Sequence, residues 1–294
     1  MHPWIIPSRH KRKTKKMPDA ARIPGYNGQD IIIQRQYFRR INMATRLVDH
    51  YGLDFAALLA ERLENALPGF DSAAFISRMA KQLGSESLLA RQDLYVDALE
   101  QFLGRDFHFN LDLFSRIWGE ELQQETGMFI FGWWLWPLGR YVERHGASWP
   151  EISYPFIKEF TKRQTGEFMI RPLLIKHTRL TMEQMLSWSL DGSVHVRRLA
   201  SEGLRIALPW AKKTTAALTE FPLYTAILTN LKDDPSRFVQ KSVGNNLNDL
   251  YKHDRMLAEQ LIFAWEQGEM SKAAGWIIRH GRRSLKTKQV RETI

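Results

Sequence analysis

A stretch of this chain repeats itself 43 residues later, and that repeat limits the possible folds more than any other feature. Ser193 to Leu204 (SVHVRRLASEGL) aligns without a gap on Ser236 to Leu247 (SRFVQKSVGNNL), each copy opened by an acid and a turn residue, Asp191-Gly192 and Asp234-Pro235. A period near 40 residues is the signature of stacked helical hairpins of the HEAT kind, in which each unit buries its apolar side against the next. A third, weaker copy appears when Arg237 to Leu247 is laid on Gly275 to Leu285 (GWIIRHGRRSL). One slot is basic in all three copies: Arg198, Lys241 and Arg279. Carried backwards, the register sets Phe238 on Phe168 and places Arg171 in the same slot.

The rest of the chain agrees with an all-α solenoid, an arc of antiparallel hairpins. From about Asp30 onward apolar residues recur at helical spacing, as in 43 to 65, 72 to 82 and 88 to 103, with Asp71 placed to cap the second of these helices. Pro137, Pro150, Pro155, Pro172, Pro209, Pro222 and Pro235 fall where helices should end or begin, positions at which a missing N–H costs least. The expected organisation is a basic arm over 1–29, a repeat domain over 30–286 and a short tail over 287–294. With no cysteines, disulfides and thiolate metal sites are excluded, and a reducing cytoplasmic compartment is the default. The longest apolar run, Met128 to Gly139, is short of the roughly 20 residues a membrane span needs.

The net charge of +10 has two separate sources. Residues 1 to 47 hold 11 Lys and Arg against 2 Asp and Glu, residues 48 to 193 hold 14 against 20, and residues 194 to 294 hold 17 against 10. The first source is Arg9 to Lys16 (RHKRKTKK), in a segment too polar to build a core and without the apolar run of a secretion signal. It either adds non-specific affinity for polyanions or stems from a start upstream of Met17. The second source is the repeat region. If the second helix of each hairpin lines one face, Arg171, Arg198, Lys241 and Arg279 form a ladder spaced by roughly 10 Å, the helix packing distance. Such a ladder can follow a nucleic-acid backbone, since each cation set on a phosphate releases counterions. The alternative is that these side chains are solvated or capped by Asp191, Asp234 and Glu202.

His195 to Gly203 with Leu208-Pro209-Trp210, Asp233 to Leu250, Glu167 to Pro172, Trp276 to Thr287, Glu125 to Gly146 and Pro68 to Phe75 together resemble the AlkC branch of the AlkC/AlkD-type DNA alkylation repair glycosylases. The likeness runs from about Tyr51 to Lys286. It implies a monomeric enzyme of the nucleoid that needs neither metal nor other cofactor. Its partner would be duplex DNA carrying alkylated bases, from which it would release N3-alkylated bases such as 3-methyladenine. A base already positive leaves without a general acid, so the protein need only stabilise an oxocarbenium-like sugar and place a water, which one carboxylate can do.

The candidate carboxylate is Glu167, four residues before Arg171 and hence on its face in a helix; a plain surface Glu-Arg pair is the competing reading. Arg163, one turn earlier, would steer phosphate or hold Glu167. Trp133, Trp134, Trp136 and Trp188 are the aromatic candidates, with Trp133 and Trp188 chosen for lesion or sugar contact, although a WWLWP run at helical spacing is more often a core pattern. Asn245, Arg279 and Arg283 join Arg163, Arg171, Arg198 and Lys241 as backbone-binding candidates, the asparagines otherwise bonding a neighbouring hairpin. The nine histidines lack the paired spacing of a metal site, and no Gly-rich phosphate loop appears, so neither a metal nor a nucleotide cofactor is expected.

Two departures from the family pattern stand out. An acid often found in the segment matching Gly127 to Trp134 is replaced by Phe131, which predicts reduced, shifted or lost activity if that acid takes part. The chain also leaves no room for the immunoglobulin-like domain that some relatives carry at the C-terminus, and a thin final cap should fray. A helical protein that binds DNA structures without cleaving a bond is the runner-up, and a protein-binding solenoid the third reading.

Overall fold

A computed structural model describes residues 46–104, 106–125 and 132–285. The arm, the C-terminal tail and Phe131 lie outside the described residues, as do the expectations that rest on them. Among the described residues every regular element is helical. A short 3-10 turn at Leu47–Tyr51 leads into α1 (Leu53–Ala66), α2 (Ser72–Gln82), α3 (Leu88–Leu103) and α4 (Phe107–Ile117). A 3-10 turn at Trp133–Leu135 opens α5 (Trp136–His145), followed by α6 (Pro150–Thr161) and the short α7 (Ile170–Lys176). Three hairpins complete the solenoid: α8 (Thr178–Trp188) with α9 (Val194–Glu202), α10 (Phe221–Leu231) with α11 (Arg237–His253), and α12 (Arg255–Glu266) with α13 (Lys272–Gly281).

Helix starts follow local capping chemistry. The Asp71 side chain accepts from Ala74 N at 2.9 Å, Asp106 from Phe109 N at 2.9 Å, and Ser271 from Ala274 N at 3.0 Å. Each satisfies an N–H that the first helical turn leaves without a partner. The stretch expected as one helix over 43 to 65 is instead divided at Gly52, whose extended backbone turns the chain while the Tyr95 hydroxyl donates to its carbonyl at 2.8 Å. Pro137, Pro150 and Pro222 occupy first turns, whereas Pro155 lies inside α6.

The repeat is held by a latch that its acids build. Asp191 Oδ1 accepts the Ser193 N–H at 2.8 Å, and Asp234 Oδ1 accepts the Ser236 N–H at the same distance. The other oxygen of each acid takes a cation from the preceding repeat: Lys158 on Asp191 at 2.7 Å, Arg197 on Asp234 at 2.6 Å. One acid thus shapes its own turn and ties neighbouring units together. The second helices stack in order, α9 on α11 and α11 on α13. The last pair is close enough that a Cβ on Gly281 would stand 2.6 Å from the Leu247 Cβ, so only glycine fits there.

Candidate nucleic-acid interface

Glu167 does not lie on a helix; it occupies the turn just before α7. That turn is drawn tightly inward at Gly166, where a Cβ would come within 2.9 Å of Ile157 Cγ2. The partner of Glu167 is consequently Arg198 of α9, not Arg171. Arg198 Nη1 sits 2.8 Å from Glu167 Oε2 and donates to Thr165 Oγ1 at 3.0 Å, while the Thr165 hydroxyl donates to the same Glu167 oxygen at 2.8 Å. The guanidinium also lies 4.8 Å above the Phe238 ring, a cation–π position.

Behind this pair runs a buried chain of charge. Arg198 Nη2 is 3.7 Å from Glu202 Oε1, which receives Arg205 Nη1 at 2.8 Å, and Arg205 Nε donates to Asp249 Oδ2 at 3.0 Å. Burial pushes the Glu202 carboxyl up, but Arg198, Arg205 and the Ser242 hydroxyl, donating at 2.6 Å, outweigh it and hold the group below the usual carboxylate range. For Arg198 burial acts against the charge, and Glu167 and Glu202 more than restore it, so its pKa is raised. Glu167 therefore faces a permanently charged guanidinium. Buried charges are tolerated because each has a hydrogen-bonded counterpart.

The basic slot divides in two. Lys241 and Arg279 are exposed and, among the described residues, form no ion pair. They lie on the stacked helices α11 and α13 beside Asn245 and Arg283, where Asn245 Oδ1 accepts from Arg283 Nη2 at 3.1 Å and stands 3.1 Å from His280 Nε2. Trp276 stacks on His280 at 4.8 Å and carries Arg237 over its other side at 3.8 Å. Arg171 departs from the expected ladder: it is 4% exposed and donates to the carbonyls of Arg205 at 2.7 Å and Lys212 at 2.6 Å. Its helix packs under the loop after α9, so unpaired carbonyls capture the guanidinium. Arg163 is likewise structural in placement, donating to the carbonyls of Gly119 at 2.7 Å and Glu159 at 2.8 Å and covering the Trp118 ring.

Both chosen tryptophans are core residues. Trp133 packs against Tyr51 and Phe55, and its carbonyl accepts the Tyr51 hydroxyl at 2.8 Å. Trp188, 2% exposed, packs edge-on to Tyr154. Apolar burial at helical spacing keeps both rings inside. The aromatic shelf next to Glu167 is itself a buried stack, Phe168 on Trp136 at 5.8 Å, roofed by the half-exposed Trp210, which meets Trp136 at 5.9 Å. Sequence reasoning quoted Trp210 only as part of a motif; the signal available was its loop, Pro209-Trp210 followed by Lys212-Lys213. Asn246 and Asn248 bond neighbouring elements, Nδ2 of each donating to the carbonyls of Ser201 at 2.7 Å and Gly281 at 2.8 Å. Among the described residues no helix is long and apolar enough to cross a membrane.

Residues 165–285, which contain Glu167, Arg198, the shelf loop and the exposed cations, match the model of the family described as DNA alkylation repair enzyme. The uncharacterized protein YhaZ of Bacillus subtilis (strain 168) is 39% identical over 145 residues, 49% of this chain and 40% of its own. The solved structure of Pseudomonas fluorescens alkylpurine DNA glycosylase AlkC, bound to DNA containing an abasic site analog, superposes with a TM-score of 0.70 at 30% identity, covering 82% of this chain and 65% of that one. The chain thus spans less than two thirds of the length of either relative. Over residues 165–285 the chain resembles the DNA alkylation repair enzymes, and its helical architecture is similar to that of AlkC.

Proposed function

We propose that the protein is a DNA glycosylase that releases N3-alkylated bases of the 3-methyladenine type from duplex DNA, acting as a monomer, with Glu167 as the carboxylate of the reaction. The observation that carries this reading is the pre-oriented Glu167, fixed by Arg198 and Thr165 inside the span that matches the repair family. The C1′–N bond breaks, and its electron pair leaves with the base, cancelling the positive charge that alkylation placed there. The oxocarbenium-like sugar that remains is stabilised by the Glu167 carboxylate, and water adds at C1′, losing its proton to the carboxylate or to solvent. Because Arg198 and Thr165 already orient Glu167, no reorganisation is needed as charge develops on the sugar.

Grip on the duplex falls to Lys241, Arg279, Arg283 and Asn245, with the basic arm over 1–29 adding charge. The test is chromatography of bases released from methylated duplex DNA. Wild type should free 3-methyladenine and Glu167→Gln should not; equal release by both removes Glu167 from the reaction, and none from wild type rejects the enzyme. A second reading, DNA binding without base release, is favoured by Phe131 standing where the family often has an acid and by the engagement of Glu167 with Arg198. It predicts duplex binding with the same salt dependence and no base in the supernatant.

A further inference from the structure

Among the described residues, Trp210 is the one non-glycine residue with a left-handed backbone, φ 59°. Bulky side chains rarely hold that conformation, and a fold keeps it only where the surroundings dictate the shape of the segment. Here they do. Arg171, buried beneath the loop, donates to the carbonyls of Arg205 and Lys212, on either side of Trp210. Arg205 is itself fixed by Glu202 and Asp249, and Asp249 also accepts the Ala207 N–H at 3.3 Å. The charge network that ends at Glu167 therefore also sets the conformation of this loop.

What the loop presents is a tryptophan 51% exposed, tilted over Trp136 and followed by the exposed Lys212 and Lys213. An indole needed only to roof the shelf would turn its face down and bury it. Strain and exposure together indicate a surface made for something that arrives later. We infer that Trp210 contacts a nucleobase: its indole stacks on the base face laid open where the DNA stack is interrupted, and Lys212 and Lys213 take the neighbouring phosphates. Base stacking on an aromatic ring tolerates any sequence but requires an open face, which an intact duplex does not offer. Recognition of a disturbed site is thereby separated from grip on the backbone by Lys241 and Arg279. The inference rests on the DNA-lesion reading above and names the element that senses the lesion.

The test uses the full chain and two short duplexes, one with a tetrahydrofuran abasic analogue beside 2-aminopurine, the other intact with 2-aminopurine at the same place. Wild type should prefer the abasic duplex and quench its 2-aminopurine. Trp210→Gly relieves the backbone strain while giving up the contact with Trp136, so its thermal midpoint, measured alongside, should stay close to that of wild type, which separates a lost signal from unfolding. It should lose the quench, bind the abasic duplex about tenfold more weakly and the intact one unchanged within about twofold. Trp210→Phe should restore most of the preference. Retained quench and preference in Trp210→Gly, or equal weakening on both duplexes, overturns the inference. If wild type binds neither duplex, the DNA reading falls and this one with it. If wild type binds and quenches but releases no methylated base, the chemistry alone fails and the role of Trp210 stands.

Discussion

Arg198 and Lys241 occupy the same position in two copies of one repeat, yet the fold gives them opposite surroundings. Around Arg198 stand Glu167, Thr165 and Glu202, and the guanidinium is drawn into a buried ionic seam. Lys241 lies on the neighbouring helix, is exposed, and among the described residues has no carboxylate paired to it. The difference comes from the acids each helix packs against, since the helices themselves align residue for residue. A solenoid can thus make a buried ion pair and an exposed cation from one template by changing what stands opposite a single residue.

The sharpest way to break this contrast is Arg198→Ala. It strands Glu167 as a buried carboxylate, while Glu202 keeps Arg205 and Ser242, and loss of one partner from a buried ion pair costs about 3–5 kcal/mol, measured as a fall in the urea midpoint at constant slope. Gly281→Ala, forced against Leu247, should cost about 1–3 kcal/mol in the same experiment and disturb α13, which carries Arg279. A denaturation series across acidic pH probes the seam more gently. Because Glu202 titrates below its ordinary value of 4.5 in the folded protein, its contribution is complete above about pH 4.5 and is lost as pH falls through the folded value. Glu202→Gln should therefore flatten the acid limb of the stability curve, and an unchanged limb would locate the titration elsewhere. Lys241→Ala is the mildest change: stability within about 0.5 kcal/mol and a salt dependence of duplex binding reduced by about one unit of slope. A salt slope that Lys241→Ala leaves untouched would dissolve the distinction between the two cations.

The architecture was legible in the sequence because a solenoid repeats its own rules. The 43-residue register, the Asp-turn pairs and the cap at Asp71 all reappear as local hydrogen bonds, and local chemistry can be read along the chain. The site was legible only in part. Glu167 and Arg198 were both named, but their pairing joins residues 31 apart and depends on the turn at Gly166, which spacing along a helix cannot reveal. Arg171 was misplaced for a similar reason: its partners are backbone carbonyls, which carry no side-chain signature. Trp133 and Trp188 were chosen for contact, yet both are covered, because composition counts tryptophans without saying which are exposed. Only the left-handed backbone and the exposed ring of Trp210 set it apart, and both are properties of the folded chain.

The central claim is that the seam performs the chemistry while the exposed cations hold the DNA, and base release under single-turnover conditions with enzyme in saturating excess over methylated duplex tests it directly. At saturation the binding defect of Lys241→Ala is masked, so its rate should match wild type, whereas Glu167→Gln should be slower by about a hundredfold or more. Equal rates for Glu167→Gln and wild type, or a Lys241→Ala rate as slow as that of Glu167→Gln, would contradict the division of labour.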